Sequence, residues 1–323
     1  MTTATPNSPP LALRRLAWTA LAWNVLVICW GAVVRATGSG AGCGNHWPLC
    51  NGQIIPIAPR LATIIEFTHR CMTAGSVFLV LGVLIGAFLY TPKGHRARLF
   101  AVLSAILLVN EALLGALLVK LGYVTTNRSI GRVIVLSIHL SNTLLLVAAL
   151  TLTAAVLHWN LARTHIIAKP STRWTIYAGL ALTILTGVTG SLAALGDTLF
   201  PSATLAQSMA QDFSSASPWL LRLRWVHPTG ALLVGAFIFW IVGAAIHRSY
   251  KLSDYSAHRL RLAAHAVSVL LLFQLILGVG DVLLLAPTYM QILHLLGANL
   301  FWIALILLSA SLLTEIPAAK TAV

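Results

Sequence analysis

Charge is scarce in this chain. Only 9% of its 323 residues are Asp, Glu, Lys or Arg, and only seven of them are acidic. A soluble domain carries about 25% charged residues, so a globule with a water-facing surface all round is excluded. The apolar–polar alternation of outer-membrane barrel strands is absent as well. Basic residues give a net charge of +14, but no long basic run exists. They are scattered over short connections, which argues against nucleic-acid binding and for attraction to a membrane surface.

What the chain does have is apolar length. Hydrophobic residues are 58% of the sequence, and the mean hydropathy is +0.88. Eight apolar runs fall near 16–37, 62–90, 98–121, 131–157, 174–195, 220–246, 259–285 and 288–313. About 20 apolar residues cross a bilayer as a helix, and backbone groups in hydrocarbon must be satisfied within the segment. The first run follows Arg14 and Arg15 and could pass for a signal peptide. Its length and the seven runs after it make it a span. The predicted fold is an all-α integral membrane protein of eight transmembrane helices.

Lys and Arg set the orientation. With the N-terminus inside, the inner segments and span ends hold Arg14, Arg15, Lys93, Arg96, Arg98, Arg163, Lys169, Arg173, Arg248, Lys251, Arg259, Arg261 and Lys320. The outer ones hold Arg35, Arg60, Lys120, Arg128, Arg132, Arg222 and Arg224, and Arg70 lies within a span. This bias predicts a multi-pass protein of the cell (inner) membrane with both termini cytoplasmic.

The two long connections, 38–61 and 196–219, both fall outside, each after the first span of a set of four. That suggests an internal repeat. Residues 16–158 would form one half and 174–314 the other, as two pseudo-symmetric four-helix bundles joined by a basic linker at 159–173. An even number of spans per half makes the repeat parallel.

Histidines test the repeat. His95, His158, His165, His247 and His258 read as solvated loop or helix-end residues, and His265 as a packed polar residue of the seventh span. His69, His139, His227 and His294 stand in spans two, four, six and eight. Each comes roughly 9–12 Å below the outer end at 1.5 Å per residue. The stretch around His69 resembles that around His227, and the stretch around His139 that around His294. Ionisable residues in a span are costly and face the bundle interior. Four at one depth, repeated by halves, point to ligation. Two per half leave no third protein ligand for bare zinc or copper. A haem brings four nitrogens and needs only one or two axial groups, so each pair suits a b-type haem in a bundle. Ala74, Gly75, Gly230, Ala231, Gly297 and Ala298 would admit a flat macrocycle or simply pack helices closely.

The halves differ in charge. Glu66 precedes His69 by three residues and shares its helix face; Arg224 holds the equivalent place before His227. Glu66 could move protons or stabilise developing positive charge, or merely pair with Arg70. Arg224 suits a haem propionate or an interfacial anchor. Glu111 and Asp281 could hydrogen-bond helices together. Cys29 and Cys71 lie in spans as packed thiols. Cys43 and Cys50 share the first outer loop, where a structural disulfide or a redox-cycling pair is open to them. His46 between them is a weak zinc signal.

On these residues the chain resembles the haem A synthase family, in its bacterial form with one outer cysteine pair. The match runs almost end to end. It rests on "GAVVRATGSGAGCGNHWPLCNGQIIP" at 31–56, "IIEFTHR" at 64–70 and the spans carrying His139, His227 and His294. The resemblance implies an oxidoreductase that converts haem O to haem A for the terminal oxidase. It oxidises the methyl group at ring position 8 to a formyl group by two hydroxylations and loss of water. It also implies substrate haem O between His69 and His139 with Glu66 as catalytic carboxylate, and haem b between His227 and His294. Cys43 and Cys50 match the family's outer pair, while the second long loop lacks the pair some relatives have. Haem O synthase and oxidase-assembly factors are the implied partners, beside membrane lipid and a possible homo-oligomer. Residues alone leave an alternative, a dihaem b-type electron carrier linked to a quinol. A transporter would show broken helices at mid-membrane, and few breaks appear.

Overall fold

The computed structural model describes residues 8–159, 168–252 and 254–314. Arg163, His165 and Lys320, assigned above to the inner side, lie outside the described residues. The described helices are α1 (Leu11–Ala36), α2 (Leu61–Tyr90), α3 (Arg96–Lys120), α4 (Ile130–His158), α5 (Pro170–Leu199), α6 (Leu205–Phe213), α7 (Val226–Ser249), α8 (Asp254–Leu283) and α9 (Thr288–Leu313). All but α6 are long and apolar enough to span a membrane, α7 together with the 3-10 turn Leu221–Leu223 before it. The eight expected spans are therefore present.

Their ends differ from the hydropathy reading where chemistry other than hydropathy decides. α1 starts at Leu11, since Arg14 and Arg15 lower the window average but are good helix formers. α5 starts at Pro170, whose fixed φ and missing N–H suit a first turn. The helix α6 lies within the second long connection, 196–219. Thr204 caps it by accepting from Gln207 N, and Gln207 Oε1 accepts from Ala203 N at 3.0 Å. The spacing Thr204-x-x-Gln207 is a capping-box signature that hydropathy cannot see.

Packing runs in order along the chain. α1 packs on α2 and α4, and α3 joins α2 to α4; α5 packs on α7 and α9, and α8 joins α7 to α9. The two sets meet where α1 and α4 face α5 and α9. The largest apolar cluster lies along this seam, with Val147, Leu150, Ile238, Trp302, Leu305 and Leu308 all buried. The seam is also tied by hydrogen bonds. Trp302 Nε1 donates to the Leu144 carbonyl at 2.8 Å. Arg35 reaches from the end of α1 to the Ala194 carbonyl and Thr198 hydroxyl of α5, both at 2.8 Å, and to Gln291 of α9 at 2.7 Å. Apolar side chains such as Phe78, Leu89, Val109, Leu233 and Ile276 cover the outer wall, an area far too large and continuous for a water-facing monomer.

Several hydroxyl side chains inside the spans are satisfied by their own helices. Ser104, Thr151 and Thr153 each donate to the carbonyl four residues back at 2.7–2.8 Å, the usual answer where no water is present. His265 does the same through the Arg261 carbonyl at 2.7 Å, but it is exposed on α8 rather than packed. Cys71 is likewise exposed, on the outer wall of α2. Hydropathy places both in spans without saying which way they face. His95, expected in a solvated loop, is buried because its ring caps α3 by accepting from Ala97 N at 3.2 Å.

Candidate functional site

The ring of His69 sits against α1. Two indoles fix that contact, Trp30 Nε1 on the Ile65 carbonyl and Trp23 Nε1 on the Met72 carbonyl, both at 2.9 Å and on either side of His69 in sequence. Gly31, next to Trp30, lets the ring approach, since a Cβ there would lie 3.2 Å from His69 Cε1. His227 repeats the arrangement more tightly against α5. A Cβ on Gly190 would come within 2.7 Å of its Cε1, a distance real Cβ atoms do not tolerate. His227 Nδ1 faces the Thr186 carbonyl at 3.1 Å. If Nδ1 carries the proton there, Nε2 is left as the ligating nitrogen.

The second histidine of each set stands on α4 or α9 and is backed by the helix before it. His139 Nδ1 lies 3.5 Å from Glu111 Oε1 of α3. That is ion-pair distance without hydrogen-bond alignment, and His139 Nδ1 accordingly has no hydrogen-bond partner, nor has His69 Nδ1. His294 has the Gln274 amide of α8 beside both ring nitrogens, at 3.1 and 3.2 Å. A Cβ on Gly278 would lie 3.1 Å from His294 Cε1.

The His227 and His294 rings have centroids 6.2 Å apart and planes at 84°. Two imidazoles sharing one metal, with metal–nitrogen bonds of about 2 Å, hold their centroids roughly 6 Å apart. This pair thus fits a single iron between them. In the first pair, the Nδ1 atoms of His69 and His139 are buried without a hydrogen-bond partner. Of the small residues expected beside a macrocycle, Gly75 meets Trp23 and Gly297 meets Gln274, whereas Gly230 faces open space. Gly75 and Gly297 therefore serve protein packing in this structure.

Glu66 is buried, 3% exposed, with both oxygens engaged. Oε1 accepts from Arg70 Nη2 at 2.5 Å and Oε2 from the Cys43 backbone N–H at 2.8 Å. Arg70 extends the contact by donating through Nη1 to the His46 and Leu49 carbonyls, each at 2.6 Å. The 37–60 connection is thereby clamped over α2. Gly42 allows the closest approach, since a Cβ would lie 2.3 Å from the Ala62 carbonyl oxygen. Cys43 and Cys50 are joined as a disulfide and both are buried. His46 is exposed, and among the described residues no three His, Cys, Asp or Glu side chains converge to hold a metal.

Arg224 has the opposite surroundings. Its Nη1 donates to Asp197 and its Nε to Asp212, both at 2.7 Å, and Nη2 donates to the Ser208 carbonyl at 2.8 Å. The guanidinium ties α5, α6 and the turn before α7 into one knot, so a propionate would have to displace an aspartate to reach it. Sequence reasoning missed both aspartates, and nothing local in the sequence joins 197, 212 and 224. It expected Glu111 only to hydrogen-bond helices together, and Glu111 does accept from Asn142 and Thr143 of α4.

Comparisons with known proteins agree with this architecture. The family model for COX15-CtaA, cytochrome oxidase assembly protein, matches residues 14–306. A Thermus thermophilus protein called protoheme IX farnesyltransferase is 40% identical over 305 residues, which is 93% of this chain and 48% of that protein. The chain thus spans about half the length of this relative and of its counterpart from a second Thermus thermophilus strain. A Bacillus mycoides heme A synthase is 30% identical over 248 residues, 74% of this chain and 75% of the relative. A Bacillus cereus heme A synthase is 29% identical over 252 residues with the same coverage. With its eight membrane-length helices and its match over nearly the whole sequence, the chain belongs to the COX15-CtaA family of cytochrome oxidase assembly proteins.

Proposed function

We propose that the chain is a haem A synthase, an oxidoreductase that converts the ring-position-8 methyl of haem O to a formyl group for terminal oxidase assembly. The observation that carries the reading is the His227–His294 pair at one-metal separation, 6.2 Å between centroids, beside a second pair placed alike on its helices. The Bacillus relatives, named heme A synthase, supply the reaction. In this reading 174–314 is the half that holds haem b through His227 and His294. Residues 16–158 are the half that holds haem O through His69 and His139, and the halves are related by pseudo-symmetry. Both termini face the cytoplasm at the inner membrane.

Bound haem would supply redox chemistry at iron. The chain's own part is to grip, orient and shield it. Glu66 would be the catalytic carboxylate; Arg70 and the Cys43 amide each take one acceptor site, one on each oxygen, and leave a lone pair on each for a proton. The disulfide would then hold that amide in place over the site. Arg224 would reach the propionate edge of haem b only by exchanging Asp197 or Asp212. The farnesyl transfer named for the Thermus proteins is assigned to the part of them beyond this match. Prenyl diphosphates are commonly bound through magnesium on carboxylates, and the seven acidic residues here are dispersed along the chain. Haem O synthase remains the proposed supplier of substrate, and oxidase-assembly factors and a second copy of the chain remain proposed partners.

Pigment extraction from purified protein, with identification by mass, tests the reading. Haem B together with haem O, haem A or a hydroxylated intermediate is expected. Haem B alone, at two per chain, would overturn the synthase in favour of a dihaem electron carrier.

A further inference from the structure

What stands behind the second histidine differs sharply between the two sets. Each is backed from the preceding helix at the same place in its sequence, Glu111-x-x-x-Gly115 on α3 and Gln274-x-x-x-Gly278 on α8. Glu111 is held by α4, through Asn142 Nδ2 at 2.6 Å and the Thr143 hydroxyl. Asn142 is itself fixed by Asn110 at 2.8 Å and by donating to the Leu107 carbonyl at 2.9 Å. Asn142 and Thr143 are both buried. The carboxylate is thereby kept 3.5 Å from His139 Nδ1.

None of that network exists in the second set. Counting from the histidines, Asn142 and Thr143 become Gly297 and Ala298; counting from the glycines, Asn110 becomes Phe273. Gln274 donates to the His294 carbonyl at 2.9 Å, and its own Oε1 is buried without a hydrogen-bond partner. A Cβ at 297 would lie 2.5 Å from that oxygen, so Gly297 is what admits the neutral side chain.

The chemical consequence follows from the donor inventory. An imidazole ligating through Nε2 carries its proton on Nδ1. A carboxylate facing that proton can only accept, whereas an amide nitrogen can only donate. An acceptor behind a ligand histidine fixes its tautomer and makes it a stronger electron donor. Hydrogen bonding behind the axial ligand is a lever on haem potential, and a richer donor favours the oxidised iron.

We propose that Glu111 is a positioning residue that orients His139 and strengthens its donation, giving the haem of the first pair a lower reduction potential than Gln274 gives the haem of the second. The half proposed to oxidise its macrocycle then holds the iron that is easier to oxidise. This deepens the haem reading above and rests on it.

Full-length protein in detergent, carrying its own second haem and saturated with haem O, can be titrated potentiometrically. The two signals are assigned by their loss in His139→Ala and His294→Ala. Glu111→Gln should raise the first-pair midpoint by about a tenfold change in the reduction equilibrium, ~59 mV for one electron, and leave the second-pair midpoint in place. Glu111→Asp should restore most of the shift. Gln274→Glu should lower the second-pair midpoint, and this arm decides the matter if Glu111→Gln fails to hold haem. Unmoved midpoints at full haem content overturn the role of Glu111. A protein in which His139→Ala removes no haem signal overturns instead the reading beneath it.

Discussion

Three residues before a histidine stand Glu66, on α2 in the first set, and Arg224, in the turn before α7 in the second. Each is buried, and each meets opposite charge. Glu66 finds Arg70 four residues along its own helix, and a backbone amide from the disulfide loop. Arg224 finds two aspartates from other segments. The first arrangement is local and leaves an acceptor site open on each carboxylate oxygen. The second is a three-way junction whose loss would unfasten α6. Two buried charges at matching sequence positions thus differ in sign, one a carboxylate able to accept and the other a guanidinium that joins segments.

The sharpest way to break this comparison is to remove the histidines. His227→Ala or His294→Ala should abolish the second haem while His69→Ala and His139→Ala leave it bound; haem content by pyridine haemochrome after purification measures it. Next in size is Glu66→Ala. General acid–base groups contribute about 10²–10⁴-fold, so haem A output should fall into that range while the second haem stays. Normal output would reduce Glu66 to an anchor for Arg70.

Arg224→Met should act on stability instead. Breaking a fully buried pair costs about 3–5 kcal/mol. Asp197 and Asp212 keep 27% and 18% side-chain exposure, so about 1–3 kcal/mol is expected here after discounting for solvent. A thermal-shift series in detergent would show it, and Asp197→Asn should recover part of the loss by removing an orphaned charge. The smallest effect separates the two glycines. Gly190→Ala should weaken second-haem retention more than Gly31→Ala weakens the first, because the added carbon would sit at 2.7 Å rather than 3.2 Å from the ring. Equal effects would mean that His227 can shift freely.

Much of this was legible from sequence because bilayers impose strong rules. Length and hydropathy set the eight spans, and matched depth picked out His69, His139, His227 and His294. Hydropathy carries no sense of helix face, so Cys71 and His265 were placed in spans but given the wrong surroundings. Contacts between distant segments leave no local trace either. Asp212 pairs with Arg224 through α6, and Asn142 reaches Glu111 from another helix. The capping box at Thr204 was readable in principle, but it lies in a segment where membrane rules say nothing.

The cross-ties at the seam have a further consequence. Arg35 fastens α1 to α5 and α9 at the loop end, and Trp302 fastens α9 to α4 well along its length. Ties at two heights resist a rocking motion of one set against the other. They also hold the spacing between the two histidine pairs. In the haem reading proposed above, electron tunnelling between the two pairs, which decays steeply with distance, would gain from that held spacing.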